Sequence, residues 1–120
     1  MNRVSALVAV AVVVGLSGCS SSPATVTAPS KYTQTWATPY ASTTCTDYTT
    51  RLTGAQRWAA AADMLTGARS NDGAKEMPSD ELVTTFMGGV DTACVVPTMT
   101  ITDVAVGVYL TERARFQPAP

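Results

Sequence analysis

Residues 55–69 read AQRWAAAADMLTGAR and carry the strongest helix signal in the chain. A run of four alanines has the highest intrinsic helix propensity available. Apolar side chains recur at the i, i+3, i+4, i+7 spacing of one helix face: Ala55, Trp58, Ala59, Ala62 and Leu65. Polar residues such as Gln56 and Asp63 fall mostly on the opposite face, and the turn sequence SNDG at 70–73 follows. This stretch therefore predicts an amphipathic helix.

Helical signals also lie on both sides of this stretch. Asp47 is placed to cap a short helical turn over residues 48–52. Ser79 is a typical N-cap, and the acidic residues that follow it suit the positive end of the helix dipole. Apolar spacing then continues to Cys94. We therefore expect a short helical turn before the alanine-rich helix and a second long helix after it.

The C-terminal part of the chain gives mixed signals. Residues 98–102 alternate like a strand, and β-branched residues follow them. Thr102 or Asp103 is nevertheless a suitable N-cap, and basic residues in the last turns match the electrostatics of a helix end. A closing helix over residues 103–115 is predicted. The expected fold class is all-α, a small disulfide-bonded domain of three to four helices.

Two adjacent glycines, Gly88 and Gly89, lie inside the second long helix. Each costs roughly 1 kcal/mol of helix stability relative to alanine. The favoured explanation is that the backbone of a neighbouring helix approaches closely at this point. A functional kink is the alternative.

The N-terminus has the pattern of a bacterial lipoprotein signal. One positive charge precedes an apolar run over residues 4–14, which is too short for the ~20 residues that span a bilayer. Leu16-Ser17-Gly18-Cys19 then resembles the lipobox, in which the cysteine sulfur is diacylated and becomes the first residue of the mature chain. Residues 1–18 are predicted to be the signal peptide, and lipid on Cys19 is predicted to hold the protein on the exported face of the cell membrane. A plain cleaved signal is the alternative.

The rest of the chain divides into a tether, one domain and a tail. Residues 19–41 are rich in Ser, Thr, Ala and Pro without a sustained period, which is typical of a flexible spacer. Trp36 and Tyr40, near its end, are candidates to dock on the domain. The helical domain is expected over residues 42–116, and residues 117–120 form a frayed tail.

The chain has three cysteines. Assigning Cys19 to lipid leaves Cys45 and Cys94 as the only intramolecular pair, in a location where disulfides persist. A bridge that closes a loop of about 50 residues contributes roughly 4 kcal/mol in the chain-entropy model, enough to decide whether so small a domain folds. Two free thiols are the alternative, and no CxxC or other metal-ligand spacing occurs.

Composition argues against several classes of function. Eight Lys+Arg against nine Asp+Glu give a net charge of −1, which provides no basic footprint for nucleic acid. Histidine is absent, so His triads, His metal ligands and the usual near-neutral pH switch are excluded. Asp63, Asp91 and Asp103 are isolated acids, and no nucleophile–base pair or glycine-rich phosphate loop is recognisable. We predict no enzyme activity, no cofactor and no bound metal.

Short motifs at Cys45 and Cys94 resemble the HdeA-type acid-stress chaperones of bacterial periplasms. Cys45-Thr46-Asp47-Tyr48 is similar to the family's Cys-x-Asp/Glu-aromatic opening, and Asp91-Thr92-Ala93-Cys94 to the Ala-Cys of a later helix. The resemblance covers residues 45–115. It implies an all-helical fold, one disulfide between these cysteines and the binding of unfolding clients in acid. The chain departs from the family in its apolar closing helix and in its predicted lipid anchor.

Two functions fit these features. The first is a membrane-anchored envelope lipoprotein with a small protein-binding domain that acts as an HdeA-like chaperone. The alternative is a non-catalytic structural or interaction lipoprotein, such as a prophage-type superinfection-exclusion protein. The predicted partners are the membrane, through Cys19, and a protein client or envelope protein. Trp58 and residues 104–109 are candidate interface patches, although core positions are the favoured assignment for both.

Overall fold

The computed structural model describes residues 30–120, and this part of the chain is helical without a strand. Its elements are a 3₁₀ turn Tyr40–Ser42 and the helices α1 (Cys45–Thr50), α2 (Gly54–Asn71), α3 (Asp80–Ala93), α4 (Ile101–Thr111) and α5 (Arg113–Phe116). The predicted all-α class is confirmed. Five helices stand in this part of the chain where three to four were expected, because the short α1 and α5 are separate elements.

Four of the helices have an N-cap residue whose side chain carries a hydroxyl group. In each case the hydroxyl oxygen accepts the backbone N–H three residues further on, at 3.2 to 3.3 Å: Thr44, Thr53, Ser79 and Thr100. Ser79 is the N-cap that the sequence predicts. The predicted caps Asp47 and Thr102 or Asp103 are wrong, because all three residues lie in the first turn of a helix that another threonine, Thr44 or Thr100, already caps.

The expected closing helix over residues 103–115 is two helices in the structure. Glu112 leaves helical geometry, with φ −111° and ψ 34°, and separates α4 from α5. The strand-like alternation at 98–102 produces only an isolated antiparallel bridge between Thr44 and Thr100. No ladder grows from this bridge among the described residues, because helices begin directly after both threonines.

The hydrophobic core lies where α2, α3 and α4 meet. Its buried members on these helices are Ala59, Ala60, Ala61, Ala62, Leu65, Val83, Phe86, Val90, Ile101, Val104, Ala105, Val108 and Tyr109. Phe116 of α5 covers one end of the core, with its ring edge-on to Phe86 at a centroid distance of 5.2 Å. All four alanines of the run are buried. Ala55, which the helical spacing assigns to the same face, is exposed because it lies in the first turn of α2.

A disulfide joins Cys45, the first residue of α1, to Cys94, the C-cap of α3, with their Cα atoms 5.3 Å apart. The predicted bridge is confirmed, and the free-thiol alternative is wrong. The bond holds the short α1 against the end of α3. Close helix packing is also confirmed at one of the paired glycines: a side chain at Gly89 would collide with Val108 of α4, whereas Gly88 faces open space.

Residues 30–41, the second part of the predicted tether, lie against the helices, and we call them the strap. Trp36 and Tyr40 of the strap are half-buried and pack on the core, as the sequence suggests. Residues 117–120 follow α5 without helical structure. The predicted signal peptide, the lipidation site Cys19 and the first part of the tether lie outside the described residues.

Candidate binding groove

A groove with a volume of about 370 Å³ runs along the surface between α2 and α4. This volume falls in the range of about 300–1,000 Å³ that is usual for ligand clefts. Its walls are mostly apolar and include Met64, Ala68, Phe86, Ala105, Val106 and Leu110. Asp72 and Arg113 stand at one end. We call this feature the α2/α4 groove.

The sequence of α4 explains why apolar side chains remain on the surface here. The helix is apolar on nearly every side, so packing one face on the core leaves apolar residues on the other. Val106 and Leu110 are 53% and 61% exposed, and their four-residue separation makes them neighbours on one face. Residues 104–109, for which the core is the favoured prediction, are buried except for Val106 and Gly107.

Gly67 leaves a gap in the side of the groove that α2 forms. It lies between Met64 and Ala68, which also line the groove, and a Cβ atom built on it would meet nothing within 4 Å. The missing side chain therefore leaves a notch beside the apolar walls. A methyl group at this position would therefore meet no neighbour.

A compact polar cluster closes one end of the groove. Asp72 accepts a hydrogen bond from the Tyr109 hydroxyl at 2.6 Å on one carboxylate oxygen and pairs with Arg113 at 2.7 Å on the other. Burial raises the pKa of Tyr109 to about 12, and the Asp72 carboxylate adds to the shift. The arrangement fixes the end of α2 to the end of α4 and gives the groove one polar and one apolar end.

A second cluster lies beside the disulfide. Tyr48 and Asp91, each three residues from a bridged cysteine, face Arg57 of α2. The Arg57 guanidinium contacts the Asp91 carboxylate at 3.3 Å and lies 5.8 Å from the centre of the Tyr48 ring. Burial raises the pKa of Tyr48 well above its ordinary value, and the neighbouring Asp91 adds to this. The Tyr48 hydroxyl makes no hydrogen bond of standard geometry within the described part of the chain, although the Asp91 carboxylate lies near enough to raise its pKa.

The strap is held on α2 and α3 by an aromatic and ionic contact. Lys31 pairs with Asp80 at the start of α3, and its ammonium lies 5.1 Å from the centre of the Trp58 ring. Tyr32 packs on the same indole with a centroid distance of 5.4 Å. The Trp58 N–H donates to the Thr84 hydroxyl at 3.1 Å. Trp58 is therefore half-buried under the strap and is not an open interface patch.

The loop between α3 and α4 presents apolar side chains on a fixed backbone. Val95 is 77% exposed, and Val96 and Met99 are also exposed. The disulfide fixes one end of this loop, and the Met99 carbonyl accepts the Cys45 N–H at 2.8 Å. A loop held in this way can offer the same apolar surface to successive partners.

The three aspartates that are isolated in the sequence each have a different local environment. Asp63 is exposed on α2, Asp91 pairs with Arg57, and Asp103 lies in the first turn of α4, where it accepts from the Thr100 hydroxyl. Within residues 30–120, no three acidic or cysteine side chains gather as a metal site. None of the helices in the same range has the length and apolarity required to cross a membrane.

Comparison of the chain with protein-family models, curated proteins and solved structures gives no match. The α2/α4 groove must therefore be judged from its own residues. Sequence reasoning alone does not find Met64, Gly67, Val106 and Leu110 as a set, because they become neighbours only when α2 packs against α4. The one available signal is that α4 has more apolar residues than a single buried face requires.

Proposed function

We propose that this protein is a lipid-anchored protein of the cell envelope whose helical domain binds apolar segments of other proteins, in the manner of an HdeA-like acid-stress chaperone. The observation that carries the proposal is the α2/α4 groove, where Val106 and Leu110 stay exposed beside a notch at Gly67. A concave, mostly apolar surface with a few polar groups at its edge is the usual form of a binding site. The groove is therefore assigned to protein binding.

The lipid anchor is supported by the Leu16-Ser17-Gly18-Cys19 motif and by the bond between Cys45 and Cys94. Disulfides persist in exported proteins and are rare in the cytosol. Each buried methylene of an acyl chain contributes about 0.8 kcal/mol, so two chains on Cys19 hold a domain at the bilayer without a spanning helix. Mass spectrometry of the mature protein under non-reducing conditions tests this part, with an acylated Cys19 as the expected result.

Charge supports a response to acid. Residues 30–120 carry seven Lys/Arg and nine Asp/Glu side chains, a net charge of about −2. Protonation of every carboxylate changes this to about +7, and such self-repulsion destabilises compact states. Acid is thus expected to loosen the groove and expose more apolar surface.

The chaperone function is tested by the aggregation of an acid-sensitive client at about pH 2–3, followed by light scattering. The processed protein is expected to suppress aggregation. Gly67→Leu, which fills the groove, is expected to weaken suppression. Gly107→Leu is the matched control, because Gly107 is also an exposed helical glycine with open space around it but does not line the groove. Equal activity of both variants would contradict the assignment of the groove.

A second candidate function, an envelope interaction lipoprotein such as a superinfection-exclusion protein, is favoured by the loop between α3 and α4. Val95 and Val96 are exposed on a backbone that the disulfide and α1 hold in place. A preformed surface suits a folded partner better than an unfolding client. A photo-crosslinker at Val95 in intact cells at neutral pH should capture one envelope protein repeatedly, and random capture would argue against this candidate.

A further inference from the structure

We propose that the segments held in the α2/α4 groove carry a carboxylate beside their apolar anchors, and that this carboxylate binds Arg113. The inference rests on the protein-binding part of the proposed function and concerns neutral pH, because Asp and Glu of a bound segment are ionised there and largely protonated at about pH 2–3. It follows from the hydrogen-bond donors and acceptors that remain available to a ligand at the polar end of the groove. The partner is an amphipathic stretch of polypeptide with Asp or Glu next to large apolar residues.

The Asp72 carboxylate at this end is already engaged. Each carboxylate oxygen of Asp72 accepts one bond, from Tyr109 at 2.6 Å and from Arg113 at 2.7 Å. The backbone carbonyls that end α2 accept the N–H groups of Asp72, Gly73 and Ala74, at 2.9 to 3.3 Å. A positively charged group of a ligand therefore competes with Tyr109 and Arg113 for the Asp72 carboxylate.

Donors, in contrast, remain available. The Arg113 side chain is 53% exposed, and its ion pair with Asp72 uses only part of a guanidinium that has five N–H groups. Arg69, which donates to the Phe116 carbonyl at 2.7 Å, lies close enough to act on the Tyr109 hydroxyl and adds a second positive charge. The two positive charges of Arg69 and Arg113 thus exceed the single negative charge of Asp72. A planar carboxylate is the ligand group that best fits a guanidinium.

The shape of the groove determines the apolar part of the bound segment. The notch at Gly67 lies between Met64 and Ala68, and the open space beside it is available to an apolar side chain of the partner. Val106 and Leu110 on the opposite wall lie one helical turn apart and match apolar residues at i, i+3 or i+4 of a bound helix. A segment seated on these walls brings its end to Arg113. Apolar anchors and an acidic end are therefore recognised together.

The test uses three short fluorescent peptides with leucine at i, i+3, i+4 and i+7 that differ only in carrying Glu, Gln or Lys at both ends. The processed protein is reconstituted in phosphatidylcholine vesicles at neutral pH and low salt, and empty vesicles give the background. We expect the Glu peptide to bind roughly two- to fivefold more tightly than the Lys peptide, and this preference to vanish at about 1 M salt.

Two variants locate the effect. Arg113→Gln should abolish the preference for the Glu peptide while the Gln peptide still binds. Arg115→Gln should keep the preference, because Arg115 pairs with Glu112 at 2.7 Å and lies outside the groove. A thermal melt of each variant separates lost charge recognition from lost folding. A preference that survives Arg113→Gln would overturn the inference.

The outcomes separate this inference from the proposed function. If no peptide binds above the level given by the groove-filled Gly67→Leu variant, the protein-binding function itself fails. If all three peptides bind equally, the groove binds protein but the acidic partner is wrong. If dodecanoate binds more tightly than any of the peptides, the groove is a lipid site and both assignments are overturned.

Discussion

A Cβ atom on Gly89 of α3 would lie 2.8 Å from Cγ1 of Val108 on α4. Val108 is buried, and its β-branched side chain has one strongly preferred rotamer in a helix, so it has little freedom to move away. The distance between α3 and α4 therefore depends on glycine at this position. Gly88, one residue earlier, has open space around it and plays no such part.

Gly89→Ala is expected to lower the free energy of unfolding by about 1–2 kcal/mol, because the overpacking cost exceeds the gain in helix propensity. Gly88→Ala is the matched control and should raise it by up to about 1 kcal/mol, since only propensity changes. Chemical denaturation followed by circular dichroism measures both. Adding Val108→Ala to Gly89→Ala should recover part of the loss, and the absence of any recovery would contradict the steric explanation.

The glycine pair shows which part of the helix packing can be predicted from the sequence. Its composition indicates a close approach, but only the packing of α4 shows that Gly89 alone requires it. Ser79 and the alanine run of α2 are predictable because caps and propensities act locally. The break at Glu112 is not predictable in the same way, because the pattern of α4 continues through it and the chain turns so that Phe116 can pack on Phe86.

The binding groove is less predictable than the fold. Its members come from α2 and α4, separated by about forty residues, and no local pattern connects Gly67 with Leu110. The high apolar content of α4 predicts apolar surface but identifies neither the helix that packs beside it nor the ion pair between Asp72 and Arg113. These depend on tertiary packing.

The two buried tyrosines provide a second prediction. Tyr109→Phe removes the hydroxyl that donates to Asp72 at 2.6 Å and should lower the free energy of unfolding by about 1–2 kcal/mol. Tyr48→Phe is the matched control, because the Tyr48 hydroxyl is buried without a hydrogen-bond partner. That variant is expected to equal or exceed the wild type in denaturant midpoint. A large loss in Tyr48→Phe would mean that its hydroxyl has a partner after all.

Alkaline pH should unfold the domain through its tyrosines. The pKa of Tyr40 and that of Tyr109 are both raised from the ordinary value of 10.0 to about 12, mainly by burial, and the pKa of Tyr48 is raised as well. A raised folded-state pKa stabilises the protein fully below pH 10 and loses this contribution as the pH rises through about 12. Ultraviolet absorbance of tyrosinate and circular dichroism, recorded together, should change in the same interval. Full ionisation below pH 10 with an intact fold would contradict the burial of these groups.

Reduction of the bond between Cys45 and Cys94 should remove a large share of the stability of the domain. The cysteines are 49 residues apart in sequence, and a closed loop of about that size contributes roughly 4 kcal/mol, against a usual total of about 5–15 kcal/mol. Denaturation with and without a reducing agent measures the difference. Hydrogen exchange should show that α1 and the loop between α3 and α4 lose protection first, because the bridge holds both. Unchanged protection there would indicate that the hydrogen bond from Cys45 to Met99 is sufficient to hold α1 and this loop together without the disulfide.

The strap should open more often when its ionic contact is removed. Asp80→Asn eliminates the partner of Lys31, whose pKa is raised chiefly by its hydrogen bond to Asp80. Glu81→Gln is the matched control, because it removes one acidic charge from the same first turn of α3 without touching Lys31. Trypsin should cut after Lys31 roughly two- to fivefold faster in Asp80→Asn than in Glu81→Gln, since cleavage follows the population of the open strap. Equal rates would assign the hold on the strap to the packing of Tyr32 on Trp58, and Tyr32→Ala would then be the faster variant.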